Sequence, residues 1–173
     1  MSNISLPKKI KYIEGENKNE GKMVIEPCFP GYGVTLGNSL RRVILSSLPG
    51  AAVVGVKIKD VGHEFMVLPH LKEDILEFIL NLKKIRLRVF SDEVVKIELK
   101  IHGKKDIKAG DITKNSQVEI VNPELVLGSI TDMAGSLEAE LFVKKGMGYE
   151  MIESRDEKIK EIGYIEMDSI YSP

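Results

Sequence analysis

The strongest periodic pattern in the chain lies between Gly31 and Gly50, where apolar residues recur at helical spacing. Thr35 is a residue type that caps helix N-termini, and the pair Pro49-Gly50 cannot continue a helix. The pattern therefore predicts one central amphipathic helix from about Leu36 to Leu48. Its apolar face is formed by Leu36, Leu40, Val43, Ile44, Ser47 and Leu48.

Two adjacent arginines lie on this helix, and its period separates them. Arg42 is at the centre of the polar face, whereas Arg41 lies about 100° away at the flank. The two side chains therefore cannot both serve the same contact, and one can bind a partner while the other is solvated.

A glycine inside the helix suggests a structural requirement. Gly37 lies at the border of the apolar face, where glycine costs roughly 0.5 to 1 kcal/mol relative to alanine. Its presence predicts a backbone held close to another element. Gly33 before the helix and Pro49-Gly50 after it are also expected to be structural, because glycine takes positive φ at little cost and Pro49-Gly50 cannot continue a helix.

The segments around the central helix alternate with a period of two. Short strands at Ile10–Ile13 and Lys22–Glu26, joined by a polar turn, predict a β-hairpin before the helix. Val53–Val61 predicts a strand with one solvent-exposed face. The length of this strand suggests that it is a sheet edge or a hairpin arm. Glu73–Lys84 opens with acidic residues and closes with lysines, which favours a second helix.

The second half of the chain is mostly β. Ile85–Val89 and Val95–Ile101 alternate around a turn at Ser91–Glu93 and predict an antiparallel hairpin. Glu153–Glu161 is charged and predicts a loop. Further strands are predicted at Val118–Val121, Leu125–Gly128, Leu137–Lys145 and Tyr164–Ile170. The pattern as a whole predicts an α+β fold.

Composition limits the function classes. The chain has 173 residues, enough for one ordinary domain or two small ones, of which 43% are hydrophobic and 29% charged. A net charge of −1 gives no overall attraction to phosphate backbones, so bulk nucleic-acid binding is disfavoured. No apolar run approaches 20 residues and the N-terminus lacks a signal-peptide core, which predicts a soluble protein of the cytoplasm.

No catalytic constellation emerges from the residues. His63, His70 and Asp74 lack the paired spacing of a metal or acid–base site, so structural roles are favoured and no metal is expected. Gly31-Tyr32-Gly33 lacks the remaining residues of a phosphate-binding loop. The single cysteine, Cys28, has no histidine near it in sequence and is expected to be a packed side chain. No cofactor is expected.

The run from Tyr32 to Gly50, YGVTLGNSLRRVILSSLPG, closely resembles the signature of the α subunit of bacterial and plastid DNA-directed RNA polymerase. The resemblance covers nearly the whole chain in one register. The other matching segments, in the family order, are His63-Glu64-Phe65, Glu73–Leu76, Leu80–Lys83, Gly110-Asp111-Ile112, Lys145–Tyr149 and Asp168–Pro173.

The resemblance implies a non-catalytic assembly subunit of a nucleotidyltransferase complex. Such a subunit forms a homodimer and recruits the large subunits β and β′. The implied fold is a discontinuous dimerisation domain, residues 1–49 plus 164–173, with a mostly antiparallel β domain inserted at 50–163. Arg42, Leu45 and Lys83 match family positions that bind β or β′. The implied dimerisation surface is formed by Tyr32, Leu36, Leu40, Val43 and Ile44.

The sequence departs from the family at its end. The family continues past Tyr171-Ser172-Pro173 with another strand and a long helix, then a separate DNA-binding domain, so the chain resembles an N-terminal domain truncated before the dimerisation domain is complete. No direct DNA contact and no membrane contact are expected. With the later helix absent, the apolar face of the central helix is left in water. The chain is therefore not expected to be a stable isolated monomer, unless the N-terminal hairpin folds over this face.

One alternative function remains open at this point. An independent nucleic-acid or ligand-binding α+β module could use the basic strand residues Arg86 and Arg88. The near-neutral charge and the aromatic content of 6% argue against it, because single-strand binders combine cationic grooves with stacking rings.

Overall fold

The computed structural model describes residues 6–17, 20–155 and 161–172. The chain divides into two compact units, residues 1–44 and residues 45–173. The described residues form two α-helices and twelve strands, and the strand pairs are antiparallel. The predicted α+β class with mostly antiparallel sheets is therefore confirmed. The discontinuous domain arrangement, with 50–163 inserted between 1–49 and 164–173, stays a prediction.

The first unit contains the predicted hairpin and most of the central helix. Strand β1 (Lys9–Glu14) pairs with β2 (Gly21–Glu26), with Lys9 opposite Glu26 and Glu14 opposite Gly21. Helix α1 runs from Tyr32 to Ser47 and continues across the boundary between the units. The hairpin prediction is confirmed.

Helix α1 begins one turn earlier than predicted. Gly31 has a φ of 82°, which glycine adopts without strain, and the Tyr32 N–H donates to the carbonyl of Phe29. Thr35 therefore lies inside the helix, and its predicted role as N-cap is wrong. The predicted end is nearly right, because α1 ends at Ser47 and Pro49 begins a strand.

A four-stranded sheet organises the second unit. It contains β3 (Pro49–Ile58), β5 (Val95–His102), β9 (Ser136–Met147) and β11 (Tyr164–Glu166), in the order β11-β3-β9-β5. Strand β3 is thus internal, which corrects the prediction of a sheet edge or hairpin arm. A bulge between Val53 and Gly55 interrupts its pairing with β9.

Three further strand pairs complete the second unit. They are β4 (Leu87–Val89) with β7 (Val118–Ile120), β6 (Lys105–Lys108) with β8 (Val126–Ile130), and β10 (Tyr149–Glu150) with β12 (Ser169–Ile170).

Several strand predictions are corrected by these pairings. The expected hairpin of Ile85–Val89 with Val95–Ile101 is wrong, because β4 pairs with β7 and β5 pairs with β9. The single last strand, predicted at Tyr164–Ile170, is divided into β11 and β12. Strand β6 was not predicted. A 3₁₀ turn, Ile152–Ser154, overlaps the start of the predicted loop Glu153–Glu161, and residues 156–160 of that loop lie outside the described residues.

Helix α2 (Ile75–Leu82) covers part of the core of the second unit. Asp74 caps it by accepting a hydrogen bond from the Glu77 N–H at 2.6 Å, an interaction worth about 1 kcal/mol. Its buried face belongs to the same hydrophobic core as apolar side chains of the strands. The residues of that face are Ile75, Phe78, Ile79 and Leu82.

Candidate subunit interface

The described residues of the first unit form no buried hydrophobic core. None of its described residues is buried, although β1, β2 and α1 carry many large apolar side chains. Ile10 is 69% exposed, Tyr12 70% and Val34 71%. A two-stranded hairpin and a single helix are each marginal in water without packing against something else. The unit therefore presents apolar surface that its described residues do not cover.

The predicted dimerisation residues share one face of α1. Tyr32, Leu36 and Leu40 are half-buried, whereas Val43 and Ile44 are exposed. At 100° per residue the five side chains fall within about 120° of the helix circumference. We call these five residues the α1 stripe. The structure brings them together as the periodicity predicted, and they remain accessible to another chain.

The three glycines and the proline that were expected to be structural have different surroundings. A Cβ added at Gly33 or Gly37 would have no neighbour within 4 Å. The expectation that Gly37 packs closely on an element of the same chain is therefore wrong for the described residues. A Cβ at Gly50, by contrast, would overlap the carbonyl group of Tyr171, so this position requires glycine. Pro49 is the first residue of β3 and lies opposite Met147.

The predicted contacts for the large subunits lie on two elements. Arg42 and Leu45 are exposed on α1, three residues apart and thus on neighbouring positions of the helix surface. Arg42 belongs to the first unit and Leu45 to the second. Lys83 is the C-cap residue of α2 and is also exposed. All three side chains are accessible, and their role in binding stays a prediction.

A groove of about 470 Å³ lies beside Lys83, entirely within the second unit. The segment Lys83–Leu87 forms one wall and Ile170–Ser172 the other, and Pro49–Ala51 also lines it. Three of the lining side chains are cationic, namely Lys83, Lys84 and Arg86, and none is acidic. We call this feature the basic groove. It brings the predicted site residue Lys83 together with Pro49 and Gly50.

Sequence reasoning missed a polar cluster around Arg155, whose side chain is only 10% exposed. Its guanidinium donates to the carbonyls of Val54, at 2.8 Å, and Met167, and to the Ser169 hydroxyl at 2.9 Å. Its Nε lies 3.4 Å from Glu150 Oε2. Arg155 therefore connects the bulge in β3 to the last two strands. The charged run around it resembled a solvated loop, and no local signal distinguished it.

Groups next to this cluster have shifted pKa values, caused mainly by burial and by a backbone hydrogen bond. Burial raises the pKa of the Tyr171 hydroxyl, which also donates to Glu150 at 2.7 Å. Burial raises the pKa of Tyr164 to about 12. The Asp168 carboxylate accepts the Ile152 N–H at 3.0 Å, and this hydrogen bond holds its pKa below the usual range. These shifts follow from structural packing and do not create an acid–base pair.

In the described part of the chain, histidine, cysteine and carboxylate side chains form no group of three or more that could hold a metal ion. Within the same residues, no helix is long and apolar enough to cross a membrane. The accessible features are instead the α1 stripe, the polar side of α1 and the basic groove.

An α+β fold with an uncovered apolar helix is typical of a protein that acts through contacts with other protein chains. Comparison with known proteins specifies the family. Residues 56–172 match the family model described as the RNA polymerase Rpb3/RpoA insert domain, and the chain belongs to this family. The resemblance noted in the sequence is thereby confirmed.

Curated relatives carry a consistent name. The DNA-directed RNA polymerase subunit alpha of Symbiobacterium thermophilum is 46% identical over 173 residues, covering 100% of this chain and 55% of the relative. The subunits of the same name from Desulforamulus reducens and Syntrophomonas wolfei are each 48% identical, over 95% and 92% of the chain and 52% and 51% of the relative. The chain spans about half the length of the curated relatives it matches.

Proposed function

We propose that this chain is a non-catalytic assembly subunit of a DNA-directed RNA polymerase, which dimerises and recruits the β and β′ subunits. The relatives are named as α subunits of that enzyme, and the similarity extends over nearly the whole chain. The observation that carries the proposal is that no described residue of unit 1–44 is buried. A net charge of −1 gives no reason to add direct DNA contact, so the nucleic-acid module is not favoured.

The proposed dimer contact is the α1 stripe. Val43 and Ile44 are 56% and 49% exposed, and the other three stripe residues are only half-buried. Complete burial of a large apolar side chain contributes about 1.5 to 3 kcal/mol. Covering the exposed parts of these five side chains on each of two chains favours a dimer over separate monomers.

Sedimentation across a concentration series tests the dimer. The wild-type chain is expected to self-associate, and Leu40→Glu is expected to weaken this by placing a charge in the centre of the stripe. Asn38→Glu is the matched control, because position 38 lies on the opposite side of α1. A single monomeric species that persists to high protein concentration would refute the dimer.

The proposed contacts with β and β′ are Arg42, Leu45 and Lys83. An arginine side chain can donate paired hydrogen bonds to a carboxylate or to carbonyl groups of a partner. Removing one partner of such a desolvated contact costs about 2 to 4 kcal/mol. Leu45 lies three residues from Arg42 and adds apolar area on the same side of α1.

Co-purification with the β and β′ subunits tests this assignment. Arg42→Ala is expected to lose the β subunit while its circular dichroism and thermal unfolding remain those of the wild type. Arg41→Ala is the matched control, because it removes the same charge about 100° away on the same helix. If Arg42→Ala retains β at the wild-type level, Arg42 is not a β contact.

A further inference from the structure

We infer that the free edge of strand β7 is a docking site for an extended polypeptide segment, which pairs its backbone with Ile120 and places one apolar side chain in a neighbouring pocket. The pocket lies in the second unit and is lined by residues from 90 to 123. The inference goes beyond the proposed function, because none of the residues assigned to dimerisation or to the large subunits lines this pocket.

Strand β7 is paired on one side only within the described residues. Its partner is β4, and no other strand adjoins it there. The Phe90 N–H donates to the Gln117 carbonyl at 2.9 Å, and the Val121 N–H donates to the Arg86 carbonyl at 2.8 Å. These two bonds fix which backbone groups of β7 face β4. Such groups alternate along an antiparallel strand, so every second residue of β7 turns its N–H and C=O away from β4.

The residues whose backbone groups face away from β4 are Val118 and Ile120. The Val118 N–H donates to the Asn115 carbonyl at 3.3 Å. In the described part of the chain, the N–H and C=O of Ile120 have no hydrogen-bond partner. An extended residue placed opposite Ile120 can donate to this carbonyl and accept from this N–H, which is the hydrogen-bonded pair of an antiparallel sheet. Addition of a strand to an exposed edge is a recurring mode of peptide recognition.

A pocket of about 420 Å³ borders this edge of β7. Val118, Glu119 and Ile120 all line it, although the side chain of Glu119 points to the opposite face of the strand from the other two. The pocket therefore lies along the edge of β7 and not over one of its faces. Its floor is apolar, since Ile97 and Ile112 are each 3% exposed. Its volume falls within the range of pockets that enclose small ligands and is ample for a large apolar side chain.

The direction of the paired side chain follows from the strand geometry. A residue opposite Ile120 places its side chain beside that of Ile120, which packs against the core. That side chain therefore enters the apolar part of the pocket and should be aliphatic. Phe90 is 64% exposed and adds apolar area to the lining. Because β7 has only three residues, its edge selects for a segment that also fills the pocket.

The charges around the pocket indicate the rest of the segment. Lys114 and Glu119 are the two charged residues that line it. Glu119 lies 3.4 Å from Arg88, whereas Lys114 forms no ion pair within the described residues. Lys114 is also exposed. A carboxylate two residues from the apolar side chain lies on the same face of an extended segment and complements this free ammonium group.

Titration with a short peptide, followed by NMR, tests the pairing. The probe is acetyl-Thr-Glu-Thr-Ile-Thr-Glu-Thr-amide, whose single apolar residue fixes the register. The matched control is the same peptide with a methyl group on the amide nitrogen of the isoleucine, which removes the donor for the Ile120 carbonyl. We expect the methylated peptide to bind at least about tenfold more weakly. In the complex, hydrogen exchange at the Ile120 N–H should slow, while exchange at the Glu119 N–H, which faces β4, should change little.

A pair of charge reversals tests the acidic part of the segment. Lys114→Glu is compared with Lys104→Glu, which changes the net charge equally at an exposed lysine outside the pocket. We expect Lys114→Glu to bind the probe about threefold more weakly than Lys104→Glu, an effect that salt reduces. Both variants should retain the wild-type thermal unfolding.

Each outcome supports or overturns a stated part of the inference. Equal affinities of the two peptides overturn the pairing with β7, and so does unchanged hydrogen exchange at the Ile120 N–H. A probe that does not bind at millimolar concentration overturns the docking site as a whole. Equal binding by the two lysine variants overturns the role of Lys114. The proposed function is unaffected by any of these results, because it rests on other residues.

Discussion

Replacing Arg155 with alanine should destabilise the second unit substantially. Removing one partner of a buried ion pair costs about 3 to 5 kcal/mol when the other charge is left alone. Here the loss is smaller, because the acceptors keep other donors. The Val54 carbonyl retains the Met167 N–H at 3.0 Å, and Glu150 retains the Tyr171 hydroxyl at 2.7 Å. We therefore expect a loss of about 2 to 4 kcal/mol for Arg155→Ala.

Urea unfolding monitored by circular dichroism measures this loss. The midpoint should fall by about 1 M or more, since the dependence on urea is about 1 to 3 kcal/mol per M. Arg155→Lys keeps the charge but not the branched donor group, so its loss should be intermediate. Lys104→Ala, at an exposed position, should change the midpoint little. If Arg155→Ala unfolds within about 0.5 kcal/mol of the wild type, the proposed structural role of this cluster is wrong.

Two further predictions concern pH and close packing. The pKa of Tyr164 is raised from 10.0 to about 12, so the stability contributed by its neutral form is present below pH 10 and is lost as pH rises toward 12. Tyr164→Phe should flatten the alkaline loss of thermal stability, whereas Tyr12→Phe, at a site 70% exposed, should not. Gly50→Ala should cost about 1 to 3 kcal/mol through overlap with Tyr171, whereas Gly37→Ala should leave stability unchanged or raised. Equal denaturant midpoints for the two glycine variants would contradict this.

Elements with a strong local signal could be predicted from the sequence. Helix α2 has a capping aspartate and an apolar face of period 3.6, and it forms with that face buried. The hairpin of β1 and β2 follows from short-range alternation around a polar turn. Position 35 shows the limit of this reasoning. Thr35 is a good capping residue, but the turn made by Gly31 started α1 before it.

Strand partners could not be predicted, because pairing is decided by contacts between distant segments. Strands β4 and β5 are neighbours in sequence with a turn between them, yet eight residues of β5 pair with β9, which buries the apolar side of both. The Arg155 cluster is missed for the same reason. Its hydrogen-bond partner Val54 is 101 positions away, and the bulge that leaves this carbonyl available has no sequence signature.

The α1 stripe could be predicted from the sequence, but whether the chain covers it could not. An apolar face of this kind can be buried by a later segment, by the N-terminal hairpin or by another molecule, and periodicity is the same in all three cases. In the structure the hairpin does not bury it, since Val43 and Ile44 are 56% and 49% exposed. The basic groove is likewise uncovered in the described residues, with cationic side chains in place of apolar ones. In both places the described residues leave a surface accessible, so experiments with the proposed partner chains are the ones that test the proposed function.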